Sequence, residues 1–381
     1  MAAAIPLCAQ QSRVYREGNA WVEEITGTMP GGREVRVNTD MGSVQVQGNS
    51  PNVSYVIRKR SFAPTEEAAR RQFEQLHISV ARTAERDFIE GRLLAKNLNR
   101  FNAEFVVQVP RELETVRVET RGGALNLTSL TATILGSTTG GAVKLDDLRG
   151  PVKIISGGGN VDGGNLGADF TLSSGGGDVH INSIAGQARV TVGGGKVYIG
   201  TVKGSTITTG AGSIEVRKCD GDLRASTDGG NLNFGDVSGA VRAETGGGSV
   251  RLASAIGQVQ VSTGGGSVEL YNLSQGARVE TGAGSIIAEF AGSRSFTDSS
   301  LHTAAGDVSV CLPDNLPVTV HAASDMASGK GILSDFPALR ITTSGGNYGP
   351  KAMSAEGALN GGGPLLRIRT TMGQINFRRC R

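Results

Sequence analysis

Asp146 and Asp147 are adjacent acids at the end of a predicted strand, and acidic pairs of this kind could hydrolyse a polysaccharide. Carboxylate catalysis on a sugar requires two acids that face each other across the glycosidic bond. The equivalent positions of the next two repeats hold Asn165 and Ser183, so neither a third acid nor an arginine converges on the pair. The sequence therefore favours a solvated pair over carbohydrate catalysis.

The four histidines are the next candidates for chemistry. Asp178 and His180 are separated by one residue, and a carboxylate beside an imidazole can take part in proton transfer. Both side chains are expected to point outward from one strand, which favours a solvated face. His77, His302 and His321 have no companion of a suitable type close in sequence that could complete a metal site.

Glycine-rich turns recur through the middle of the chain, and such turns can bind phosphate or calcium in other proteins. Phosphate loops require a strand, a turn and then the N-terminus of a helix, whereas strands follow these turns. The nearest match to a calcium-binding GGxGxD repeat, residues 157–162, lacks a glycine that the pattern requires. The sequence thus predicts no catalytic, cofactor-binding or metal-ligating residues and no cofactor.

The composition indicates a thin aliphatic core. Glycine accounts for 57 of the 381 residues, about twice its usual share, and aromatic residues make up only 4%. The 38 basic and 35 acidic residues give a net charge of +3, which predicts no strong attraction to nucleic acid. No stretch is apolar enough over a sufficient length to predict a transmembrane segment.

A repeat of about 18 residues organises the middle of the chain and would hold those polar pairs in place. One aliphatic residue follows each glycine-rich turn, and its spacing stays at about 18 residues until a longer last step. Alternation of apolar and polar residues beside it predicts short strands with one buried face. This aliphatic column consists of Leu125, Val143, Val161, Val179, Val197, Ile214, Leu232, Val250, Val268, Ile286 and Val308.

A single turn cannot bury its own aliphatic residues, whereas turns stacked in register share a continuous core. The sequence therefore predicts an all-β fold: a single-stranded parallel β-helix, or solenoid, of about 18 residues per turn. Right-handed coiling is favoured by the general handedness of parallel crossovers. Capping β regions are expected at both ends, and the N-terminal cap carries one short helix that opens at Pro64 with Thr65 as N-cap.

Two further columns mark the corners of the repeat. Hydroxyl residues are expected inside or at one corner, where they can bond one another or nearby turn amides. Glycines at a second corner indicate positive φ or close backbone approach. The hydroxyl column is Thr120, Thr138, Ser156, Ser174, Thr209, Thr227, Thr245, Thr263, Thr281 and Thr303. The second-corner glycines are Gly150, Gly186, Gly204, Gly221, Gly239 and Gly257.

Four regions follow from these patterns. Residues 1–30 are expected to be a signal-peptide remnant and flexible N-terminus, 31–114 an N-terminal cap, 115–312 the repeats, and 313–381 a C-terminal cap. Met1–Gln10 resembles the tail of a truncated secretory signal peptide, and the alternative is an ordinary disordered N-terminus. The first interpretation predicts a periplasmic, cell-surface or secreted protein.

The cysteines bear on the same question of compartment. Cys8, Cys219, Cys311 and Cys380 lie far apart and show neither metal-site spacing nor a dense disulfide framework. One bridge among the last three is possible in an oxidising compartment, although the spacing does not require it. Leu7 precedes Cys8 where a lipoprotein signal would have a small residue, so a lipid anchor is not favoured.

Gly-Asp steps recur within the repeats, at residues 177–178, 221–222, 235–236 and 306–307. Together with Val109–Pro110 before the repeats and the closing segment at residues 371–375, they resemble a bacterial family of adhesin-like proteins of unknown function with Gly-Asp-containing β-solenoid repeats. The resemblance covers roughly residues 30–381. It implies a β-helical protein that is secreted or associated with the cell envelope, and it carries no known catalytic residues.

Three classes of function remain open at this stage. An adhesin-like or structural surface protein is favoured, because stacked strands present long polar faces for multivalent contacts with a surface glycan or envelope protein. A polymerising envelope scaffold is the first alternative, since stacked coils could add end to end if the caps were weak. A carbohydrate-active enzyme is the second. A monomer is expected, and self-association stays open.

We predict that Val250→Asp destabilises the protein strongly, because it places an unpaired charge in the core. Arg251→Asp, one residue further on, should change the melting temperature little because that side chain faces solvent. Thermal unfolding of the two variants checks the assignment. Equal shifts in melting temperature would show that the inward and outward positions are wrong.

Overall fold

The computed structural model describes residues 10–94, 100–292, 295–327, 331–345 and 351–380. These residues form an all-β structure of 34 strands and one helix. The chain divides into two compact units, Met1–Gly193 (unit 1) and Gly194–Arg381 (unit 2). Cys8 and the signal-like segment up to residue 9 lie outside the described residues.

Unit 1 begins with strands that pair in both directions. Strand β1 is antiparallel to β2, β2 to β5, and β5 to β8, while β4 lies parallel between β8 and β10. These elements are β1 (Gln11–Glu17), β2 (Ala20–Met29), β3 (Glu34–Thr39), β4 (Ser43–Gly48), β5 (Val53–Ser61), α1 (Glu66–Phe73), β6 (Leu76–Arg82), β7 (Arg86–Leu93) and β8 (Phe101–Val109). The expectation of a flexible chain up to residue 30 is therefore wrong from residue 11 onward, because alternate residues of β2 are buried against its neighbours.

Helix α1 begins where the sequence predicts it. The Thr65 side chain accepts a hydrogen bond from the backbone N–H of Ala68 at 3.3 Å, which satisfies one of the free donors of the first turn. Ala69 and Phe73 lie on the buried face of the helix. This capped, one-sided helix packs beside β2, β5 and β6 in unit 1.

The remaining strands of unit 1 are the first coils of the predicted repeat. They form two parallel ladders, one from β10 through β12 and β14 to β16, the other from β9 through β11, β13 and β15 to β16. The register places Leu125 beside Val143 and Val143 beside Val161. These strands are β9 (Thr115–Thr120), β10 (Leu125–Leu130), β11 (Thr133–Thr138), β12 (Val143–Leu148), β13 (Val152–Ser156), β14 (Val161–Leu166), β15 (Phe170–Ser174) and β16 (Val179–Val192).

Unit 2 repeats the same arrangement. Its ladders run from β17 through β18, β20, β22, β24 and β26 to β28, and from β17 through β19, β21, β23 and β25 to β27. Every member of the predicted aliphatic column is buried, which confirms the parallel β-helix of about 18 residues per turn. These strands are β17 (Val197–Thr209), β18 (Ile214–Cys219), β19 (Leu223–Thr227), β20 (Leu232–Val237), β21 (Val241–Thr245), β22 (Val250–Ala255), β23 (Val259–Thr263), β24 (Val268–Leu273), β25 (Ala277–Thr281), β26 (Ile286–Phe290), β27 (Ser299–Ala305) and β28 (Val308–Leu312).

The C-terminal strands of unit 2 do not follow sequence order. Strand β33 lies parallel between β27 and β29, and β34 lies parallel between β28 and β30, so the last strands in sequence form an inner coil. A disulfide joins Cys311 on β28 to Cys380, one residue beyond β34. Cys219 is a buried free thiol. These strands are β29 (Val318–Ala327), β30 (Ile332–Ser334), β31 (Arg340–Ser344), β32 (Lys351–Leu359), β33 (Leu365–Met372) and β34 (Ile375–Arg379).

The hydroxyl column lies at a corner and is buried, as its spacing predicts. In one coil of unit 2, the Thr245 hydroxyl donates to the carbonyl oxygen of Gly230 at 2.9 Å and accepts from the backbone N–H of Gly248 at 3.1 Å. The first bond crosses to the neighbouring coil, and the second closes the turn of its own coil. The same pair of bonds recurs at Thr227 and Thr263. These threonine hydroxyls therefore bond to glycine backbone groups and tie each turn to the next, whereas Ser174 bonds only to Gly176 of its own turn and the buried Ser156 hydroxyl has no partner among the described residues.

The third glycine of each turn stacks directly on its counterpart one coil away. A Cβ added to Gly248 would collide with the carbonyl group of Gly230, and one added to Gly266 would collide with that of Gly248. At the second corner, an added Cβ at Gly221 or Gly257 likewise meets the backbone of the previous coil. Neither of these second-corner glycines has a positive φ, so close backbone approach is the reason for glycine there.

We predict that Gly248→Ala lowers the free energy of unfolding by about 1–3 kcal/mol, the usual cost of overpacking, because its Cβ has no room beside Gly230. Gly247→Ala is the matched control, since a Cβ there meets nothing within 4 Å. Equivalent turns already carry Ala211 and Ala283 at that middle position. The control should be neutral or stabilising by about 0.4–1 kcal/mol. Melting temperatures test this, and a destabilised Gly247→Ala variant would contradict it.

Candidate binding surface

The structure places Asp146 and Asp147 at the end of β12 in unit 1, where Asp147 takes a structural role. Its carboxylate accepts a hydrogen bond from Arg111 at 2.6 Å and lies 3.8 Å from Arg149. Asp147 also has a positive φ of 47°, which the strand end imposes on it. Asp147 is thus held in an ion pair with Arg111 instead of facing Asp146 across a cleft.

The histidine candidates lie apart on the surface. Asp178 and His180 are exposed at the start of β16, as the alternation predicts, and His321 lies 3.9 Å from the exposed Glu356 in unit 2. Throughout the part of the chain that the structure describes, no group of three or more His, Cys, Asp or Glu residues is placed to hold a metal ion.

Two buried carboxylates of unit 1 have altered acidity, and both are structural. Glu24 accepts hydrogen bonds from Arg58 and Arg13, at 2.9 Å and 2.6 Å, and these guanidinium groups, Arg58 above all, hold its pKa below the usual value. Burial raises the pKa of Asp87, against the hydrogen bond from the Gly32 backbone N–H at 2.7 Å. Glu24 joins β2 to β1 and β5, and Asp87 joins β7 to the loop that precedes β3.

The outward positions of the first strand of each repeat are chemically mixed. In unit 1 they run Asn126, Lys144, Asp162 and His180, and in unit 2 they run Tyr198, Glu215, Asn233, Arg251 and Glu269. Arg251 pairs with Glu269 at 3.1 Å across adjacent strands. Exposed pairs of this kind contribute only about 0.2–1 kcal/mol each, so this face is a solvated surface with no single ligand chemistry.

A second outward row in unit 2 is more uniform. Six strands that neighbour one another in the ladder each contribute one side chain to it, and the row lines an open groove of about 660 Å³. In spatial order the row is Arg224 (β19), Arg242 (β21), Gln260 (β23), Arg278 (β25), Ser300 (β27) and Arg367 (β33). We call this row and its groove the arginine groove.

The positive charge of the arginine groove is only partly balanced. Arg242 pairs with Glu244 at 2.8 Å, and Arg278 lies 3.8 Å from Glu280. The side chains of Arg224 and Arg367, by contrast, form no ion pair or hydrogen bond with any residue that the structure describes. These two unpaired guanidinium groups lie at opposite ends of the row.

Two acids line the groove, and both are committed to the backbone. Asp222 accepts a hydrogen bond from the N–H of Ala240 at 2.9 Å, and Asp298 accepts one from the N–H of Leu365 at 2.8 Å. They occupy the corner that precedes each strand. The groove is therefore a basic strip with acidic groups along one margin.

Sequence reasoning missed the arginine groove. The outward position of the second strand lies between two inward residues, such as Arg242 between Val241 and Ala243, and reading it through the repeats gives Arg224, Arg242 and Arg278. That row could have been found from the period of the repeat. Arg367 could not, because its strand joins the row from outside the regular repeat.

No described helix is long and apolar enough to cross a membrane. Solved structures similar to this chain include a candidate cell adhesion protein from Clostridium sporogenes (11% identity, covering 94% of this chain and 100% of that one, TM-score 0.21). Candidate adhesins from Parabacteroides distasonis (12%, 76% and 96%, 0.30) and Bacteroides fragilis (11%, 94% and 97%, 0.23) are also similar. Identities and scores this low do not establish a shared function.

A comparison with curated proteins finds no match. That Gly-Asp steps characterise the family of this chain remains a prediction from the sequence. The model of one family, described as Toastrack DUF4097, matches residues 54–252, which is just over half of the chain. This protein therefore belongs to the Toastrack DUF4097 family.

Proposed function

We propose that this protein is a non-enzymatic, adhesin-like β-solenoid of the cell envelope or cell exterior that binds a surface glycan or envelope protein. The observation that carries the proposal is the arginine groove, in which neighbouring coils of unit 2 repeat one kind of polar contact. Contacts that are weak singly become strong when a long ligand makes several at once. A groove this open fits an extended partner better than an enclosed small molecule.

The disulfide between Cys311 and Cys380 supports the proposed location. Stable disulfides belong to oxidising compartments, such as the periplasm and the cell exterior, and are rare in the cytosol. The division of the chain into two caps and a repeat region remains part of the proposal.

We expect reduction of this disulfide to destabilise the protein by about 2–4 kcal/mol, because the bond closes a long loop and limits the unfolded chain. Reductant should lower the melting temperature of the wild type and leave that of a Cys311→Ala/Cys380→Ala variant unchanged. Thiol counting on protein purified from its native host gives the control. Two free thiols at these positions in native protein would contradict the proposed location.

A glycan and envelope-component binding array, combined with size measurements across protein concentrations, tests the proposed function. We expect binding by a monomer of 39.3 kDa. Filaments that bind nothing would contradict the proposal and favour the polymerising scaffold. Against that alternative, three strands that pair on one side only, β1, β6 and β31, carry Arg13, Arg82 and Arg340, and charged edges resist pairing. Polysaccharide turnover lost in Asp146→Asn/Asp147→Asn would contradict the proposal in favour of an enzyme.

A further inference from the structure

We propose that the ligand of the arginine groove is an anionic polysaccharide whose chain runs across the strands of unit 2. This inference rests on the proposed function and names its ligand class. The acidic groups required are carboxylates or sulfates, which share one chemistry: a planar or tetrahedral array of oxygens that accepts two hydrogen bonds from one guanidinium group. Arginine forms such paired bonds, whereas lysine acts as a point charge.

The first support is the uncompensated charge. Arg224 and Arg242 lie directly beside each other on β19 and β21, so two like charges repel at the spacing of adjacent strands. Glu244 pairs with Arg242, but the corresponding position on β19 is Ser226, which leaves the Arg224 guanidinium group without an ion pair to any described residue. At the other end of the row, Arg367 on β33 forms no ion pair with any described residue. Arg369 on the same strand does form one, with Asp325 at 3.0 Å. An anionic ligand would neutralise the unpaired positive charge at both ends of the row.

The second support is the spacing of the row. Arg242, Arg278 and Arg367 occupy every second strand, with Gln260 and Ser300 between them. Strands lie about 4.8 Å apart, so these arginines recur about every 10 Å along the groove. Two linked sugar rings have a comparable length, and a polysaccharide with one acidic group per disaccharide would meet one arginine per repeat. The intervening Gln260 and Ser300 can donate to and accept from sugar hydroxyls.

Nucleic acid fits this surface less well. Single-stranded nucleic acid binds through aromatic side chains on which the bases stack, and none of the described residues that line the groove is aromatic. A duplex requires a broad basic face, whereas Glu244 and Glu280 flank this row on the same strands and the net charge of the chain is only +3. The row is one side chain wide, which matches a single polysaccharide chain.

The test uses the full-length protein and three probes: polygalacturonate, neutral dextran of matched length, and single-stranded DNA of matched charge. We expect the wild type to bind polygalacturonate, with an affinity that falls as the NaCl concentration increases. We expect it not to bind dextran. The groove variant is Arg224→Gln/Arg242→Gln/Arg278→Gln/Arg367→Gln. Four exposed contacts of about 0.5 kcal/mol each together predict a loss of about thirtyfold in affinity.

The control variant removes the same charge elsewhere in unit 2, as Arg217→Gln/Arg251→Gln/Arg340→Gln/Arg378→Gln, at four exposed positions outside the groove. It should bind polygalacturonate within about threefold of the wild type, and unchanged melting temperatures should show that both variants fold. Equal losses in the two variants would overturn the inference, because net charge alone would then explain binding. Equal or tighter binding of DNA through the groove would overturn it in favour of nucleic acid.

The same measurements separate this inference from the proposed function. If the binding array finds a neutral glycan or a protein whose affinity the groove variant leaves unchanged, the ligand assignment fails and the adhesin-like function stands. If neither polygalacturonate nor any array component binds, both fail together.

Discussion

The stacking of one glycine on another at the corner of each coil is the constraint on which the rest of the structure depends. The carbonyl of Gly230 lies beneath Gly248 with no space for a Cβ, and the same carbonyl accepts the Thr245 hydroxyl at 2.9 Å. A one-residue slip would break this bond, and a slip that brought Ser249 over Gly230 would also place a side chain where only a hydrogen fits. Register is therefore fixed at the corner, and the columns of inward and outward residues follow from it.

Once the corner fixes the register, the inward side chains of each strand must pack in the core, whereas the outward side chains remain in solvent. Inward side chains such as Val250 and Leu252 stack on their own kind, and burying them stabilises the coil by roughly 1.5–3 kcal/mol each. Outward side chains contact solvent and one another, within a strand or across strands, and exposed pairs between them contribute little. The outer rows are thus free to carry function at small cost in stability, as the Arg224–Arg242 repulsion illustrates.

These separate demands explain how much could be predicted from the sequence. The buried columns, the corner hydroxyls and the helix at Thr65 repeat or cap by local rules, and the regular period of the repeat is sufficient to place them. The pairing of Cys311 with Cys380 could not be predicted, because it depends on β34 inserting beside β28. Strands β1 and β2 were missed for a related reason: their burial comes from antiparallel pairing that the repeat does not contain. The arginine groove was not predicted, because its residues occupy the outward positions of the second strand of each repeat, and the prediction considered only those of the first strand.

The inserted C-terminal strands extend the corner beyond the regular repeat. Thr370 on β33 donates to the carbonyl of Gly306 at 2.9 Å, and Ser324 on β29 donates to that of Gly373 at 3.0 Å. In spatial order, the hydroxyl column therefore continues from Thr303 to Thr370 and then back in sequence to Ser324. Insertion costs loop-closure entropy, because β33 must pair with β27, which lies much earlier in the chain.

That insertion also completes the arginine groove. Arg367 lies on β33, so the row ends at Ser300 unless the last strands of the chain have taken their place beside β27. The disulfide joins β28 to the residue after β34 and thereby holds this inserted coil in the stack. The bond that stabilises the end of the chain and the arginine that ends the groove thus belong to one structural element.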